Sequence, residues 1–239
     1  MKRMKIIGLA LAAVCATFVA SGSVASAAGP VFYTKANVGA VAAAVPFTGT
    51  LGAAFLEPAN LSKITCTGGS AAGTVTGATT TKGNLTTFTG CEASKLKCNS
   101  TGEGEGVIKT NVLEGTLGNV TTVLPGIRLY NESTKKGGIL AEFTCGGGAV
   151  KVVVKGSVIG SLTGASGTEA ANGKFPASTK LTFAEAKGIQ KYNKFVVGEG
   201  EAGTEQLESS TNGAAFEKSG QSAIATLKSV PAGNLGGTK

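Results

Sequence analysis

The 239-residue chain contains no histidine and no tryptophan, and all 14 of its acidic residues are glutamate, so aspartate is missing too. Losing histidine and aspartate together removes the Ser-His-Asp and Cys-His nucleophile arrangements and the usual zinc hydrolase sites. Each of those needs an imidazole to carry a proton or hold the metal. Tryptophan, the commonest sugar-stacking platform, is absent, and Tyr33, Tyr130 and Tyr192 are the only tyrosines, which weakens a lectin role. Arginine is confined to Arg3 and Arg128. Nucleic-acid readers need clustered positive charge and lean on arginine for base and phosphate contacts. The lysines here are scattered and have no interleaved aromatics, so they read as solubilising charges on strand faces and edges, and no nucleic-acid partner is expected. The glycine-rich turns lie between strand-like segments instead of opening helices, so they form no phosphate cradle and no cofactor is expected.

Long apolar runs are also lacking, with one exception at the start. Lys2, Arg3 and Lys5 precede an uncharged stretch from Ile6 to Val19, followed by ASGSVASAAGP. A basic start, a short apolar run and a small-x-small end make a secretory signal peptide. The run is shorter than the roughly 18–20 residues a membrane span needs. Ala25-Ser26-Ala27 places cleavage after Ala27, with Ala28 as the neighbouring choice. Cys15 is not expected to anchor lipid, because bulky Val14 precedes it and the apolar run continues past it. The expected organisation is a signal peptide at 1–27 and one extracellular domain at 28–239, released or loosely held at the cell surface. Loss of the three leader charges lowers the formal net charge from +8 to +5.

What the chain does have is four further cysteines: Cys66, Cys91, Cys98 and Cys145. An even set in an exported protein reads as two disulfides, with three pairings open. Structural zinc sites usually use close pairs two to four residues apart, and a redox pair needs C-x-x-C. Neither spacing occurs, and no metal is expected. In GGILAEFTCGGG, Ile139, Ala141, Phe143 and Cys145 share a face; in LSKITCTGG, Ile64 and Cys66 do. Both thiols therefore end a strand facing inward. That leads to the expectation of a core Cys66–Cys145 bridge and a local Cys91–Cys98 bridge, contributing about 4.5 and about 2.5 kcal/mol on the chain-entropy model.

Glycine, threonine, serine and asparagine punctuate the chain into strand candidates roughly every ten residues. They include Lys63–Thr67, Gly73–Thr79, Leu85–Cys91, Ile127–Asn131, Ile139–Cys145 and Ala223–Ser229. In AVKVVVKGSVIGSL, Val150, Val152 and Val154 face one way and Lys151 and Lys155 the other. Gly156 then suggests a bulge or a bend across a sandwich edge. Helical signals are restricted to Val38–Val45, stopped by Pro46, and to Phe183–Phe195, interrupted by Gly188. The fold class is all-β, an antiparallel β-sandwich of Greek-key or jelly-roll type in a single disulfide-stapled domain.

The cysteine and glycine punctuation of ITC…GTVTG, FTGC, C…GEGEGVIKT, LEGTLG, EFTC and VKGSVIGSLTG, spanning Leu51 to Leu162, resembles an uncharacterised family of secreted actinobacterial proteins. The resemblance implies export and an all-β fold, and it carries no assigned reaction, ligand or functional residue.

The remaining chemistry lies in glutamate. Glu103 and Glu105 in TGEGEG, and Glu199, Glu201 and Glu205 in VGEGEAGTE, could serve a glutamate-dependent glycoside hydrolase or hold calcium. Glutamate with glycine at solvated hairpin tips is the simpler reading. Asn60, Asn84, Asn99, Asn119 and Asn131 open N-x-S/T triplets and read as loop residues. Ser70–Thr89 is the one stretch considered for membrane activity, but a membrane barrel wants ten-residue strands with aromatic girdles, and no stable insertion is expected. The functional expectation is a secreted, non-enzymatic structural or binding module with an extracellular protein or glycan partner. Self-association through sheet edges is the other partner considered, and no catalytic residue is nominated.

Overall fold

A computed structural model describes residues 32–34, 44–58, 63–135, 137–163, 179–198, 205–229 and 235–237. Strands and turns account for these residues, and none of them is helical. The expected leader, and most of the helical candidate at Val38–Val45, lie outside the described residues. A short pair, Phe32–Thr34 (β1) with Leu235–Gly237 (β20), forms its own two-stranded sheet.

The rest of the chain rises and falls as eight consecutive staves. The first is Val45–Leu51 (β2) continued by Ala54–Pro58 (β3), and the second is Ile64–Cys66 (β4) with Gly68–Val75 (β5). The third is Thr80–Thr89 (β6) with Glu92–Ala93 (β7). The fourth is Leu96–Asn99 (β8), Ile108–Lys109 (β9) and Leu113–Asn119 (β10), and the fifth is Pro125–Asn131 (β11) with Ile139–Cys145 (β12). Val150–Thr163 (β13) is the sixth, Thr179–Phe183 (β14) with Leu207–Thr211 (β18) the seventh, and Glu217–Ser229 (β19) the eighth. Every stave pairs antiparallel with the next, and β19 pairs back onto β2 and β3.

The antiparallel all-β class is therefore as expected, but the ladders run without interruption around a closed ring. Two facing sheets with Greek-key crossings would break that ring, so the sandwich topology is replaced by an up-and-down barrel. Closure removes the unpaired edges that an open sheet must protect.

Alternation sets the inside. Val152, Val154, Val158 and Leu162 of β13 point inward, with Ile127 and Leu129 of β11 and Leu181 and Phe183 of β14 beside them. Lys151 and Lys180 point out and are exposed. Gly156 does not end β13. It sits at φ +99° at the level where both neighbouring staves are interrupted, and a Cβ there would collide with the Gln206 carbonyl. The stretch with helical spacing at Phe183–Phe195 holds instead a hairpin of Glu185–Ala186 (β15) and Ile189–Gln190 (β16), turned by Lys187 and Gly188 at positive φ.

The disulfides are Cys66–Cys91 and Cys98–Cys145, not the pairing expected from the sequence. The inward orientation of Cys66 and Cys145 holds, since both are buried. They are not neighbours, because they belong to the second and fifth staves. The pairings Thr65–Glu92, Glu92–Lys97 and Cys98–Cys145 put all four cysteines in one row, in the order Cys66, Cys91, Cys98, Cys145. In such a row, bonding the middle two would strand the outer two, and only the observed pairing uses every thiol. Two buried disulfides are what an oxidising compartment sustains.

Candidate functional site

The barrel interior holds a partly open cavity of about 180 Å³. Its wall is drawn from the inward faces of all eight staves and is mostly aliphatic and aromatic, with Phe47, Phe88, Phe143 and Phe183 among the rings. Eight strands give an interior that side chains can just fill or that holds one small ligand. None of the residues lining this one is charged.

A few polar groups interrupt the apolar wall, and two of them lie together. Thr81 and Asn84 both face inward, which a regular strand could not arrange because they are three residues apart. The register of β5 on β6 slips between Thr74–Lys82 and Ala72–Leu85, and Gly83 at φ +62° supplies the bulge. The bulge resets the alternation, so Asn84, Thr86 and Phe88 follow Thr81 into the interior. Its Gly83 N–H donates to Glu132 Oε2 at 3.0 Å on the outside.

Asn84 Nδ2 donates to Thr81 Oγ1 at 2.8 Å. Asn84 Oδ1 is buried and has no hydrogen-bond partner. Two glycines make the space: a Cβ at Gly115 would collide with Thr81 Oγ1, and one at Gly73 would collide with Asn84 Oδ1 and the Phe47 ring. Asn84 was expected in a loop. Instead it is 6% exposed within β6, and Asn119 and Asn131 are likewise buried in strands. Asn99 ends β8, and Asn60 lies outside the described residues.

A second polar cluster lies outside the ring, beneath the segment that interrupts the seventh stave. Gln190 acts as a substitute strand: its Nε2 donates to the Ser157 carbonyl at 2.8 Å, and its Oε1 accepts from the Ile159 N–H at 3.2 Å. These groups fall in the gap of β13 between β14 and β18. Val197–Gly198 (β17) pairs antiparallel with β10, the Val196 N–H donates to the Asn119 carbonyl at 2.8 Å, and the Phe195 ring lies against Gly118. Glu205 Oε1 accepts from Arg128 Nη1 at 2.7 Å, and its Oε2 accepts a short bond from Ser157 Oγ. Arg128 also stacks 5.1 Å from the centre of the Tyr130 ring. Tyr130 OH donates to Glu114 Oε1 at 3.0 Å, and Lys135 Nζ reaches Glu114 Oε2 at 2.5 Å. Burial pushes the Glu114 pKa up, but the hydrogen bonds from Lys135 and Tyr130, with the charges of Lys135 and Lys82, outweigh it and hold the carboxyl below its ordinary value. The hydrogen bond to Glu114 raises the Lys135 pKa in turn.

The glutamate stretches do not converge on the cavity. Glu103 lies in the loop between β8 and β9 and pairs with Lys109 at 3.3 Å, and the neighbouring Glu105 is exposed. Glu205 is 6% exposed and bound to Arg128, so the solvated-tip reading fails for it. Glu199 and Glu201 lie outside the described residues. Among the described residues, no group of three or more acidic, cysteine or histidine side chains is placed to hold a metal ion. No protein-family profile, curated protein or solved structure matches this chain.

Proposed function

We propose that this protein is a secreted, non-enzymatic binding protein that takes a small apolar molecule inside its barrel. The observation that carries the reading is the cavity of about 180 Å³, walled by aliphatic and aromatic side chains from every stave. Concave, mostly apolar space with few polar groups is the usual form of a small-molecule site. The side chains that would perform hydrolysis are absent from its wall, because none of the lining residues is acidic.

Two further features favour this role over assembly or membrane insertion. Ring closure between the first and last staves takes away the edges that strand-to-strand assembly would use. The outward positions Lys63, Thr65, Glu142, Lys151, Lys180 and Lys228 are exposed and polar, while the interior is apolar. A transmembrane barrel has the opposite arrangement. The disulfides and the amino-terminal leader sequence support export.

The test is methyl-detected NMR of the mature protein titrated with toluene. Saturable shifts at Ile127, Leu129, Val154 and Leu181 are expected, because these methyls line the cavity. Unchanged interior methyls at toluene saturation would reject the reading.

A further inference from the structure

We infer that the four cysteine sulfurs form a single exchange site for a small thiol, which adds at Cys66 and sends a disulfide bond along the row until Cys145 is released. The inference uses the order of the row and the place of Cys66 on the cavity wall. It does not depend on a guest binding in the cavity.

The row supplies the geometry. Cys66, Cys91, Cys98 and Cys145 follow one another across four neighbouring staves. Facing residues of paired strands present their side chains on the same side of the sheet, and all four cysteines are buried. The two bridges therefore abut at Cys91 and Cys98. The Cys98 N–H donates to the Cys91 carbonyl at 3.0 Å. Facing residues at such a hydrogen-bonded position have Cα atoms about 5.5 Å apart, inside the range of about 4.4–6.8 Å that a disulfide accepts. A bond between the middle two cysteines thus needs no backbone movement.

The entry point follows from exposure. Cys66 is 8% exposed, against 0% for Cys91 and Cys98 and 2% for Cys145. It is also the only one of the four that lines the partly open cavity. Exchange begins when a thiolate attacks a disulfide sulfur. The incoming thiol loses its proton and bonds Cys66 Sγ as the Cys66–Cys91 bond breaks, leaving Cys91 as a thiolate. Cys91 then attacks Cys98 Sγ, and the Cys91–Cys98 bond forms as Cys98–Cys145 breaks. The order of the row sets nucleophile, attacked sulfur and leaving sulfur in sequence, as a displacement at sulfur requires. Cys145 leaves as a thiolate and takes up a proton. Two disulfides are present before and after, so no electron is gained or lost.

The experiment treats the oxidised mature protein with 2-mercaptoethanol, short of full reduction. Acid then stops exchange, and the unfolded protein is blocked with N-ethylmaleimide and mapped by mass spectrometry. Trypsin puts the four cysteines on separate peptides, because Lys82, Lys95, Lys97, Lys109 and Lys135 divide them. The expected product carries mercaptoethanol on Cys66, maleimide on Cys145 and a Cys91–Cys98 link. In a second measurement, without added thiol, Cys145→Ala should divide its free thiol between Cys98 and Cys66, because Cys98 can attack Cys91 and release Cys66.

Mercaptoethanol on Cys66 with maleimide on Cys91, and Cys98–Cys145 always intact, would show two independent staples and overturn the relay. An adduct on Cys91, Cys98 or Cys145 in place of Cys66 overturns the entry point. Loss of both bridges together, with no singly modified protein, overturns the site as a whole. A Cys145→Ala protein that folds and keeps its free thiol on Cys98 alone does the same.

Discussion

Replacing chosen pairs of cysteines tests the row arrangement by a count of thiols. Neighbouring strands are about 4.8 Å apart, so the three steps from Cys66 to Cys145 span about 12–14 Å on a curved wall. A disulfide needs Cα atoms within about 7 Å. In Cys91→Ala/Cys98→Ala, the remaining Cys66 and Cys145 therefore stay reduced, and the unfolded mature protein, without Cys15, titrates two thiols. In Cys66→Ala/Cys145→Ala, the remaining Cys91 and Cys98 face one another, as the Glu92–Lys97 pairing requires, and they bond. That protein titrates none. The energies differ correspondingly. The native bridges span separations of 25 and 47 residues, which the chain-entropy model values at about 3.5 and about 4 kcal/mol. The substitute Cys91–Cys98 bridge closes only a short loop, worth about 2.5 kcal/mol. Urea unfolding should thus place Cys66→Ala/Cys145→Ala about 5 kcal/mol below the unaltered protein, and Cys91→Ala/Cys98→Ala about 7.5 kcal/mol below it. A monomeric Cys91→Ala/Cys98→Ala protein with no free thiol would refute the row.

Three more expectations come from the outer cluster and from β13. Glu205→Gln leaves Arg128 buried without its counter-charge and should cost about 3–5 kcal/mol in urea, whereas Arg128→Met combined with Glu205→Leu should cost clearly less than either single change. The Glu114 carboxyl has a lowered pKa in the folded protein. Its contribution is fully present above the ordinary glutamate value and is lost as pH falls through the lowered one. Lys135→Met removes the main partner, so the acid-unfolding midpoint followed by circular dichroism should move to higher pH. Gly156→Ala forces a Cβ into the Gln206 carbonyl at φ +99° and should destabilise by roughly 2 kcal/mol or more on thermal melting, while Gly104→Ala, in open space at the TGEGEG loop, should be nearly neutral.

Local periodicity made the strands legible. The bounds of Ile139–Cys145 were readable, and from Ala141 onward its apolar side chains alternate with Glu142 and Thr144; Ile139, expected on the same face, is exposed because the register slips between Ile139 and Ala141. Where alternation slips, the reading failed. The candidate Leu85–Cys91 began too late, because the bulge at Gly83 lets β6 start at Thr80 and turns Asn84 inward. The glycine in TTKGNL was the one available signal, and it favours a bulge without specifying which residue it redirects. Closure of the ring was hidden for a different reason: hydrogen bonding between β19 and β2 joins segments some 175 positions apart, and no local pattern encodes it. The same holds for the disulfides, since parity tells which way a thiol points and not which stave stands next to it. Glu205 sat in a Glu/Gly-rich stretch that looks solvated, and its partner Arg128 lies 77 positions away.

The cystines divide the ring unequally. One joins the second stave to the third and the other the fourth to the fifth, so both covalent ties fall within one arc of four neighbours. Across the other arc no disulfide joins the described residues, and its seventh stave is split between Phe183 and Leu207. The molecule is in effect a hoop whose covalent ties all lie on one side. Reduction would therefore act on that side alone and leave the bonding of the other unchanged.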